Sequence, residues 1–449
     1  MMDHTKTENV KMSGSPAQGL LGATLGFFIG FAAVSLFGPT AKLLKAPLEL
    51  SPVQVGLLVA TPMLSGSLAR IPFGAWVDTT GGKKPFLWLL GISAVGMAGL
   101  LVLLQVVTPE GLTPAYFPLV LGLGFLAGFG IATFSVGIAQ TSYWFPQRRQ
   151  GWALGAYAGF GNMAPGLFAW LIPIVIGLWT ITGAYTIWLI FLVVGTIVYA
   201  IIGRNAYYFQ LCRDRKGMPA EQARKLCRER GQELFPGGGV WHGLATAAKL
   251  WQTWFLVALY FTTFGGFLAL TAWFPTFWSE LFGLSLGAAG ALTMLYSVLA
   301  SLIRVPGGLF SDRVGGELTV ILAVLVMMAG ALVIALTRTF GPAVTGAVIM
   351  ALGMGVGNAG VFKLVPRYLP RAMGGASGWV GGIGAFGGFA IPPLLGLFIR
   401  NQGDAGYSLG FVTFVGLAAV SLVLAYVLKR TYRTREAQEE GISTEASTA

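Results

Sequence analysis

The sequence predicts an all-α membrane protein with 12 transmembrane helices in two pseudo-symmetric six-helix bundles. Of the 449 residues, 55% are hydrophobic and only 10% are charged, whereas soluble proteins average about 25% charged residues. The apolar runs form two groups of six, separated by a hydrophilic segment at 204–248. The pattern Arg-x-Pro-x-Gly-x-x-x-Asp also occurs twice, from Arg70 to Asp78 and from Arg304 to Asp312. A motif repeated at equivalent places in two halves is typical of a transporter built from structural repeats.

Each of the apolar runs has close to the ~20 residues that a helix needs to cross a bilayer. The first, Gly19 to Ala41, has no Ala-x-Ala-like cleavage site, so it predicts a spanning helix rather than a removed signal peptide. Helices 2 to 12 are predicted, in order, at 53–77, 86–107, 117–143, 151–178, 184–203, 250–274, 286–310, 318–337, 341–364, 374–399 and 407–428. The predicted domains are a cytoplasmic tail at 1–17, bundles at 18–203 and 249–429, a cytoplasmic linker at 204–248, and a disordered tail at 430–449.

The distribution of lysine and arginine predicts the orientation of the chain in the membrane. If both termini are cytoplasmic, 22 of the 29 Lys and Arg residues fall on the inner side and four on the outer side. Such an asymmetry follows the positive-inside rule. It predicts a multi-pass protein of the plasma (inner) membrane with both termini cytoplasmic. The same distribution accounts for the net charge of +12, because the basic residues lie next to the lipid bilayer. The predicted partner is therefore the bilayer, and the charge does not indicate a nucleic acid.

Arg70 and Arg304 are the most informative residues, because each lies well inside an apolar run. Each precedes its aspartate by eight residues, about 12 Å along a helix, which is deep for a side chain that reaches to the surface. An arginine at this depth costs about 2.5–3.5 kcal/mol unless it faces a partner or a cavity. No carboxylate lies inside the predicted helices to pair with them, so we predict that the counter-ion is an anionic substrate. The planar guanidinium suits a planar oxyanion.

Two short loops carry a recognisable motif. Asp78-Thr-Thr-Gly-Gly-Lys-Lys84 and its repeat, Asp312-Arg-Val-Gly-Gly316, resemble the inner loop motif of the major facilitator superfamily. That resemblance implies that Asp78 and Asp312 close the cytoplasmic side in one conformation. Lys363, near the predicted cytoplasmic end of helix 10, either extends to the membrane surface or contributes to the same gate.

Glycine runs recur in helices 4 and 5 and in helices 10 and 11. They are Gly128-Phe-Gly130-Ile-Ala-Thr-Phe134, Gly151-Trp-Ala-Leu-Gly155-Ala-Tyr-Ala-Gly159-Phe-Gly161-Asn162, Gly353-Met-Gly355-Val-Gly357-Asn358 and Gly381-Gly382-Ile-Gly384-Ala-Phe-Gly387-Gly388. These runs resemble the two nitrate signatures of the nitrate/nitrite porter family. The resemblance covers nearly the whole chain.

The resemblance implies a set of substrate-binding residues. In that family two arginines hold the anion between aromatic rings, which implies binding by Arg70 and Arg304 with the rings of Phe134 and Phe264 on either side. The remaining implied residues are the binding residues Tyr260 and Asn162 and the gating glycines Gly159, Gly161 and Gly384 on the helices expected to slide or bend. Three positions depart from the family pattern: Tyr157 replaces a small amide, Gln140 replaces an asparagine, and Pro165 closely follows Asn162.

The predicted function is secondary transport of nitrate and nitrite by a monomer, with exchange of one anion for another favoured over net movement. Two alternatives remain from the residues alone: a carrier of small organic anions such as oxalate, and an anion sensor that does not transport. We expect no enzymatic activity, because no nucleophile with a base appears at membrane depth. We also expect no metal or cofactor, since Cys212 and Cys227 match no metal or redox spacing.

Overall fold

The computed structural model of the chain describes residues 12–107, 111–214, 217–236, 240–369 and 373–448. Residues 1–11 of the predicted tail lie outside the described residues. Within the described chain, 12 helices are long and apolar enough to cross a membrane, which confirms the predicted fold class. Helices 1 to 12 are Pro16–Ser35, Pro52–Thr80, Lys83–Val106, Pro114–Trp144, Trp152–Leu178, Ile181–Ile202, Trp251–Leu281, Leu286–Val314, Gly316–Leu336, Phe340–Val365, Gly375–Gln402 and Ala405–Thr431. An even number of spans puts the two ends of the described chain on one side of the bundle, called here the tail side.

Two helix ends differ from the predicted positions by more than five residues. Helix 1 stops at Ser35 rather than Ala41, and a separate short helix, Ala41–Lys45, follows it. Helix 7 continues to Leu281, past the predicted end at residue 274 and through Pro275. Its last turns carry large aromatic side chains that are almost fully buried, so packing stabilises the helix beyond Pro275.

The C-terminal segment also differs from the prediction. The final helical segment runs from Val412 to Thr448, whereas 430–449 was predicted to be disordered. That prediction rested on low hydrophobicity, which indicates that a segment cannot form a packed core. The segment nevertheless contains four Glu, three Arg and three Ala residues, which have high helix propensity and extend a helix that has already formed.

The regular helices are interrupted at one level of the bundle. Tight 3₁₀ turns occur in helices 1, 4 and 11, at Ala32–Ser35, Gly128–Ala132 and Gly384–Phe386. Helix 7 contains a wider π-helical turn, Phe261–Gly265, and Ile303 separates the two parts of helix 8. Irregular backbone at membrane depth is tolerated where it is buried in protein or lines a cavity. Three of the interruptions adjoin or contain rings close to Arg70, those of Phe31, Phe134 and Phe264.

The two bundles contact each other mainly through helix 2 against helix 11 and helix 5 against helix 8. On the side opposite the tail side, an ion pair of 2.6 Å joins Lys45 of the first bundle to Glu280 of the second. Next to it lies a cavity of about 10 Å³ lined by Lys42, Trp273 and Thr276 among others. A space of this size holds no more than about one water molecule. The bundles are closed on that side because helices 2 and 11 pack closely there: a Cβ at Gly396 would fall 2.3 Å from the carbonyl oxygen of Pro52.

The linker is packed against both bundles. The linker contains the helix Ala220–Glu229, and its buried Cys227 belongs to an apolar cluster with Trp144 at the end of helix 4. A second linker helix, Val240–Ala248, lies against helix 11. There the indole Nε1 of Trp379 donates a hydrogen bond to the carbonyl oxygen of Leu244 at 2.9 Å.

Candidate anion site between the bundles

Arg70 is fully buried in the middle of helix 2, with an exposed fraction of 0%. Its Nη1 donates a 2.8 Å hydrogen bond to the carbonyl oxygen of Gly381 on helix 11 of the other bundle. Its Nε and Nη2 have no hydrogen-bond partner among the described residues. A buried charge with one neutral partner is unfavourable unless something else compensates it. The two remaining donors are therefore available to a ligand.

Arg304 occupies the equivalent place in the second bundle. It begins the helical segment Arg304–Val314, directly after the interruption at Ile303. The side chain is half-buried, and its Nη1 is buried without a hydrogen-bond partner in the described chain. Neither Arg70 nor Arg304 forms an ion pair with a carboxylate of the described residues. The two cations thus converge on one region that supplies them with no protein anion.

Aromatic faces contact both guanidinium groups. The Cζ of Arg70 lies 4.7 Å from the ring centroid of Phe134 and 5.2 Å from that of Phe264. The Cζ of Arg304 lies 5.5 Å from the same Phe264 ring. Because the face of an aromatic ring carries partial negative charge, these contacts stabilise the buried cations. Phe264 is the ring that both arginines share.

The spacing of the two predicted sandwich rings differs from the expected arrangement. Phe134 and Phe264 stack at 5.5 Å between centroids with an interplanar angle of 25°. A planar anion between two rings needs roughly 7 Å, about twice a van der Waals separation of 3.5 Å. The rings are therefore in contact with each other, and an anion lies between them only if the gap widens by about 1.5 Å.

Two buried polar side chains lie beside the rings. Tyr260 stacks on Phe264 at 4.8 Å, and its hydroxyl has no hydrogen-bond partner among the described residues. Asn162 is also fully buried. Its Nδ2 donates to the carbonyl oxygen of Ala158 at 2.6 Å, while its Oδ1 is unpartnered. The backbone carbonyl of Asn162 accepts a 3.0 Å hydrogen bond from Ser301, one turn before Arg304, which ties helix 5 to helix 8.

Sequence reasoning missed three members of this region. Phe31 lies 6.0 Å from the Cζ of Arg70, Phe27 packs on Phe134 at 5.3 Å, and Asn358 has a buried, unpartnered Oδ1. The repeat offered a signal for the two rings. Phe31 precedes Phe264 by 233 residues, as Phe27 precedes Tyr260, and this offset is one residue less than that between the arginines. Asn358 ends the glycine run of helix 10 that begins at Gly353, and the family resemblance implied no role for it.

The three predicted gating glycines lie in different surroundings. A Cβ at Gly161 would fall 1.8 Å from the ring of Phe27, and one at Gly384 would fall 2.8 Å from Tyr260. Gly159 faces only Val305 of the second bundle, at 3.9 Å. Gly161 and Gly384 thus provide the space for aromatic rings of the site, and Gly159 lies on the surface where helices 5 and 8 meet.

The predicted gate residues lie apart from the arginines, at the tail-side ends of the helices. Asp78 accepts a 2.6 Å hydrogen bond from the hydroxyl of Tyr143. Lys363 forms a 2.5 Å ion pair with Asp312 and donates to the carbonyl oxygen of Ser311 at 2.7 Å. Lys363 therefore joins helix 10 to helix 8 within one bundle rather than extending alone to the membrane surface.

Comparison with known proteins agrees with this architecture. The sequence profile described as "Major Facilitator Superfamily" matches residues 23–392 and 282–448. The xylose transporter XylE of E. coli, in a partially occluded inward-open conformation, superposes with a TM-score of 0.69 at 14% identity, over 92% of this chain and 99% of that one. Two bundles with unpaired charges at their interface define a multi-pass secondary transporter of this superfamily.

Sequence relatives narrow the assignment. The chain is 30% identical to the "Probable nitrate/nitrite antiporter NarK1" of Thermus thermophilus, over 93% of this chain and 92% of that protein. It is 29% identical to the "Probable nitrate/nitrite transporter NarK2" of Mycobacterium tuberculosis, over 96% and 99%. It is 26% identical to the "Nitrite extrusion protein" of Bacillus subtilis, over 89% and 91%. The chain belongs to the nitrate/nitrite porter family of the major facilitator superfamily.

Proposed function

We propose that this protein carries nitrate and nitrite across the plasma (inner) membrane by alternating access, exchanging one anion for the other. The observation that carries the proposal is the pair Arg70 and Arg304, one from each bundle, which together have three buried nitrogen donors without a partner among the described residues. The names of the relatives support nitrate and nitrite as substrates. The asymmetry of Lys and Arg supports cytoplasmic termini, and the proposed functional unit is one chain.

In this mechanism, Arg70 and Arg304 supply the positive charge and planar sets of N–H donors that match the edges of an oxyanion. Tyr260 supplies a hydroxyl donor that has no partner among the described residues. Asn162 can offer an anion only its Nδ2, which also donates to Ala158, because its unpartnered Oδ1 is an acceptor. The slot between Phe134 and Phe264 accepts only a thin ligand, because the rings start in contact. Charge thus attracts an anion, and the slot favours a flat one.

Alternating access requires the closed side to open and the tail side to close around the site. On the closed side, Lys45 and Glu280 are the cross-bundle pair that must separate. On the tail side, Asp78 and Asp312 are the proposed gate residues, and Lys363 holds Asp312 in place. Helix 5 is proposed to slide past helix 8 at Gly159, where little side-chain contact resists the movement.

Flux measurements on purified protein in liposomes test the proposal. Isotopically labelled nitrate outside, with nitrite or no anion inside, is expected to enter faster when nitrite is present. Entry that follows a pH gradient and ignores internal nitrite would contradict exchange. Binding of nitrate without flux would instead indicate a sensor. A stronger block of uptake by oxalate than by nitrite would indicate a carrier of organic anions.

A further inference from the structure

Tyr157 lies on helix 5 beside the anion site, and its side chain packs between helices 1 and 4. Its exposed fraction is 0%. Its hydroxyl donates to the backbone carbonyl oxygens of Phe134 at 2.9 Å and Thr133 at 3.1 Å, both on helix 4. These residues begin the regular helical segment that follows the 3₁₀ turn of helix 4. The hydroxyl therefore ties helix 5 to the backbone that carries the Phe134 ring.

The surroundings of Tyr157 are shaped for this contact. A Cβ at residue 137 would lie 2.1 Å from the Tyr157 hydroxyl, so Gly137 leaves the path that the hydroxyl needs to reach helix 4. The ring of Tyr157 stacks on Phe27 at 5.0 Å with an interplanar angle of 28°. Phe27 in turn packs against Phe134 at 5.3 Å. Phe134 is thus restrained through its backbone by Tyr157 and through its ring by Phe27.

The opposite wall of the slot is built differently. Phe264 belongs to the π-helical turn Phe261–Gly265 of helix 7, and turns of this kind occur mostly as single irregularities at functional sites. The turn ends in Gly265 and is followed by Gly266. Since the two rings stack at 5.5 Å, one of them must move when an anion lies between them. The Phe264 ring also stacks on Tyr260 at 4.8 Å, so the difference between the two walls lies in their backbones. The Tyr157 hydroxyl ties the backbone of Phe134 to helix 5, whereas Phe264 belongs to an irregular turn, which favours movement of Phe264.

We propose that Tyr157 is a positioning residue that holds Phe134 as the fixed wall of the anion slot, so that Phe264 makes the movement that admits the ligand. The proposal rests on the proposed transport of a planar anion. Tyr157 acts through the backbone of helix 4 and does not itself contact the ligand. Loss of its hydroxyl leaves the charge of the site unchanged and loosens one wall, so it weakens binding without slowing the movement of the bundles.

The test is Tyr157→Phe, which retains the stacked ring and removes only the hydroxyl. We expect the KM for nitrate uptake in liposomes to rise about fivefold, because the lost hydrogen bond contributes about 1 kcal/mol. The maximal rate should stay within about twofold of the wild-type rate. The matched control is Tyr185→Phe, another fully buried tyrosine whose hydroxyl donates to a backbone carbonyl, that of Leu36 at 3.0 Å. Its KM should equal that of wild type.

A second variant and a second measurement make the outcome decisive. Gly137→Ala places a Cβ against the Tyr157 hydroxyl and is expected to raise the KM as Tyr157→Phe does. The nitrate-dependent rise in the melting temperature of the purified protein should shrink in both variants and persist in Tyr185→Phe. An unchanged KM in Tyr157→Phe, an equal change in Tyr185→Phe, or failure of Tyr157→Phe to fold would overturn the positioning role. Wild-type protein without nitrate flux or nitrate-dependent stabilisation would overturn the proposed function instead.

Discussion

Replacement of Arg70 by lysine separates the charge of the site from its hydrogen-bonding geometry. Lysine keeps one positive charge and loses the planar set of donors. In the structure, Nη1 of Arg70 donates to the carbonyl oxygen of Gly381, and its Nε and Nη2 have no hydrogen-bond partner among the described residues. A hydrogen bond involving a charged group contributes about 1.5–3 kcal/mol. Loss of one such bond to the anion is therefore expected to weaken nitrate binding about 10- to 150-fold.

The assay is nitrate binding to purified protein, with initial rates of nitrate and nitrite uptake measured in parallel. Arg400→Lys is the matched control, because Arg400 is exposed near the end of helix 11; its affinity should not change. Arg304→Lys is expected to weaken binding less than Arg70→Lys, since Arg304 is half-buried and solvent screens part of its interaction. Wild-type affinity in Arg70→Lys would refute bidentate recognition. A larger loss in Arg304→Lys would refute the dominant role assigned to the more deeply buried arginine.

Three further predictions follow from other contacts. Glu280→Gln removes the ion pair with Lys45 across the closed side, and a partly exposed pair contributes up to about 1 kcal/mol. A cysteine introduced by Thr276→Cys in the adjoining cavity should therefore react with a thiol reagent up to about fivefold faster in the Glu280→Gln variant. Gly161→Ala is expected to abolish uptake, because the new Cβ would clash with the Phe27 ring. Gly155→Ala, whose Cβ would have no neighbour within 4 Å, should transport at the wild-type rate. Equal uptake by the two variants would contradict this packing argument. Burial raises the pKa of the Cys227 thiol to about 12, above the ordinary value, so its thiolate is scarce at neutral pH. Maleimide at pH 7.5 should therefore label the half-buried Cys212 before Cys227. Equal labelling of the two cysteines in folded protein would contradict this prediction.

The fold was predictable because its determinants are local or periodic. Run lengths near 20 residues predict spanning helices, and the repeated pattern ending at Asp78 and Asp312 indicates two equivalent halves. The same reasoning found Arg70 and Arg304, since a charge within an apolar run is conspicuous on its own. Applied to aromatic residues with an offset one residue shorter than that of the arginines, the repeat would also have found Phe31 from Phe264. These features need no knowledge of which helices are neighbours.

Other features of the site depend on contacts between distant parts of the chain. Tyr157 is separated from Phe134 by 23 residues, and nothing in the sequence states that its hydroxyl reaches that carbonyl. The ring spacing of 5.5 Å depends on how helices 4 and 7 pack across the bundle interface. The π-helical turn that carries Phe264 follows from that packing as well. Composition and motifs identified the residue types of the site, whereas their distances required the tertiary structure.

The proposed preference for exchange has a physical origin that the structure narrows. Because both arginine Cζ atoms lie within 5.5 Å of the Phe264 centroid, they are at most about 11 Å apart and repel each other by at least about 1.5 kcal/mol at an effective dielectric constant of 20. Cation–π contacts with that shared ring are worth about 2 kcal/mol each when desolvated, which offsets the repulsion.

Charge repulsion is therefore not what opposes closure around an unloaded site. The stronger opposition comes from the buried donors of Arg70 and Arg304 that have no partner in the described part of the chain, each of which costs about 1–3 kcal/mol or more. An anion satisfies several of them at once, so the loaded carrier closes more readily than the unloaded one. If this is the origin of exchange, Arg70→Lys, which keeps the charge and has fewer donors, must lose exchange preference together with affinity. Retention of full preference in that variant would return the explanation to charge.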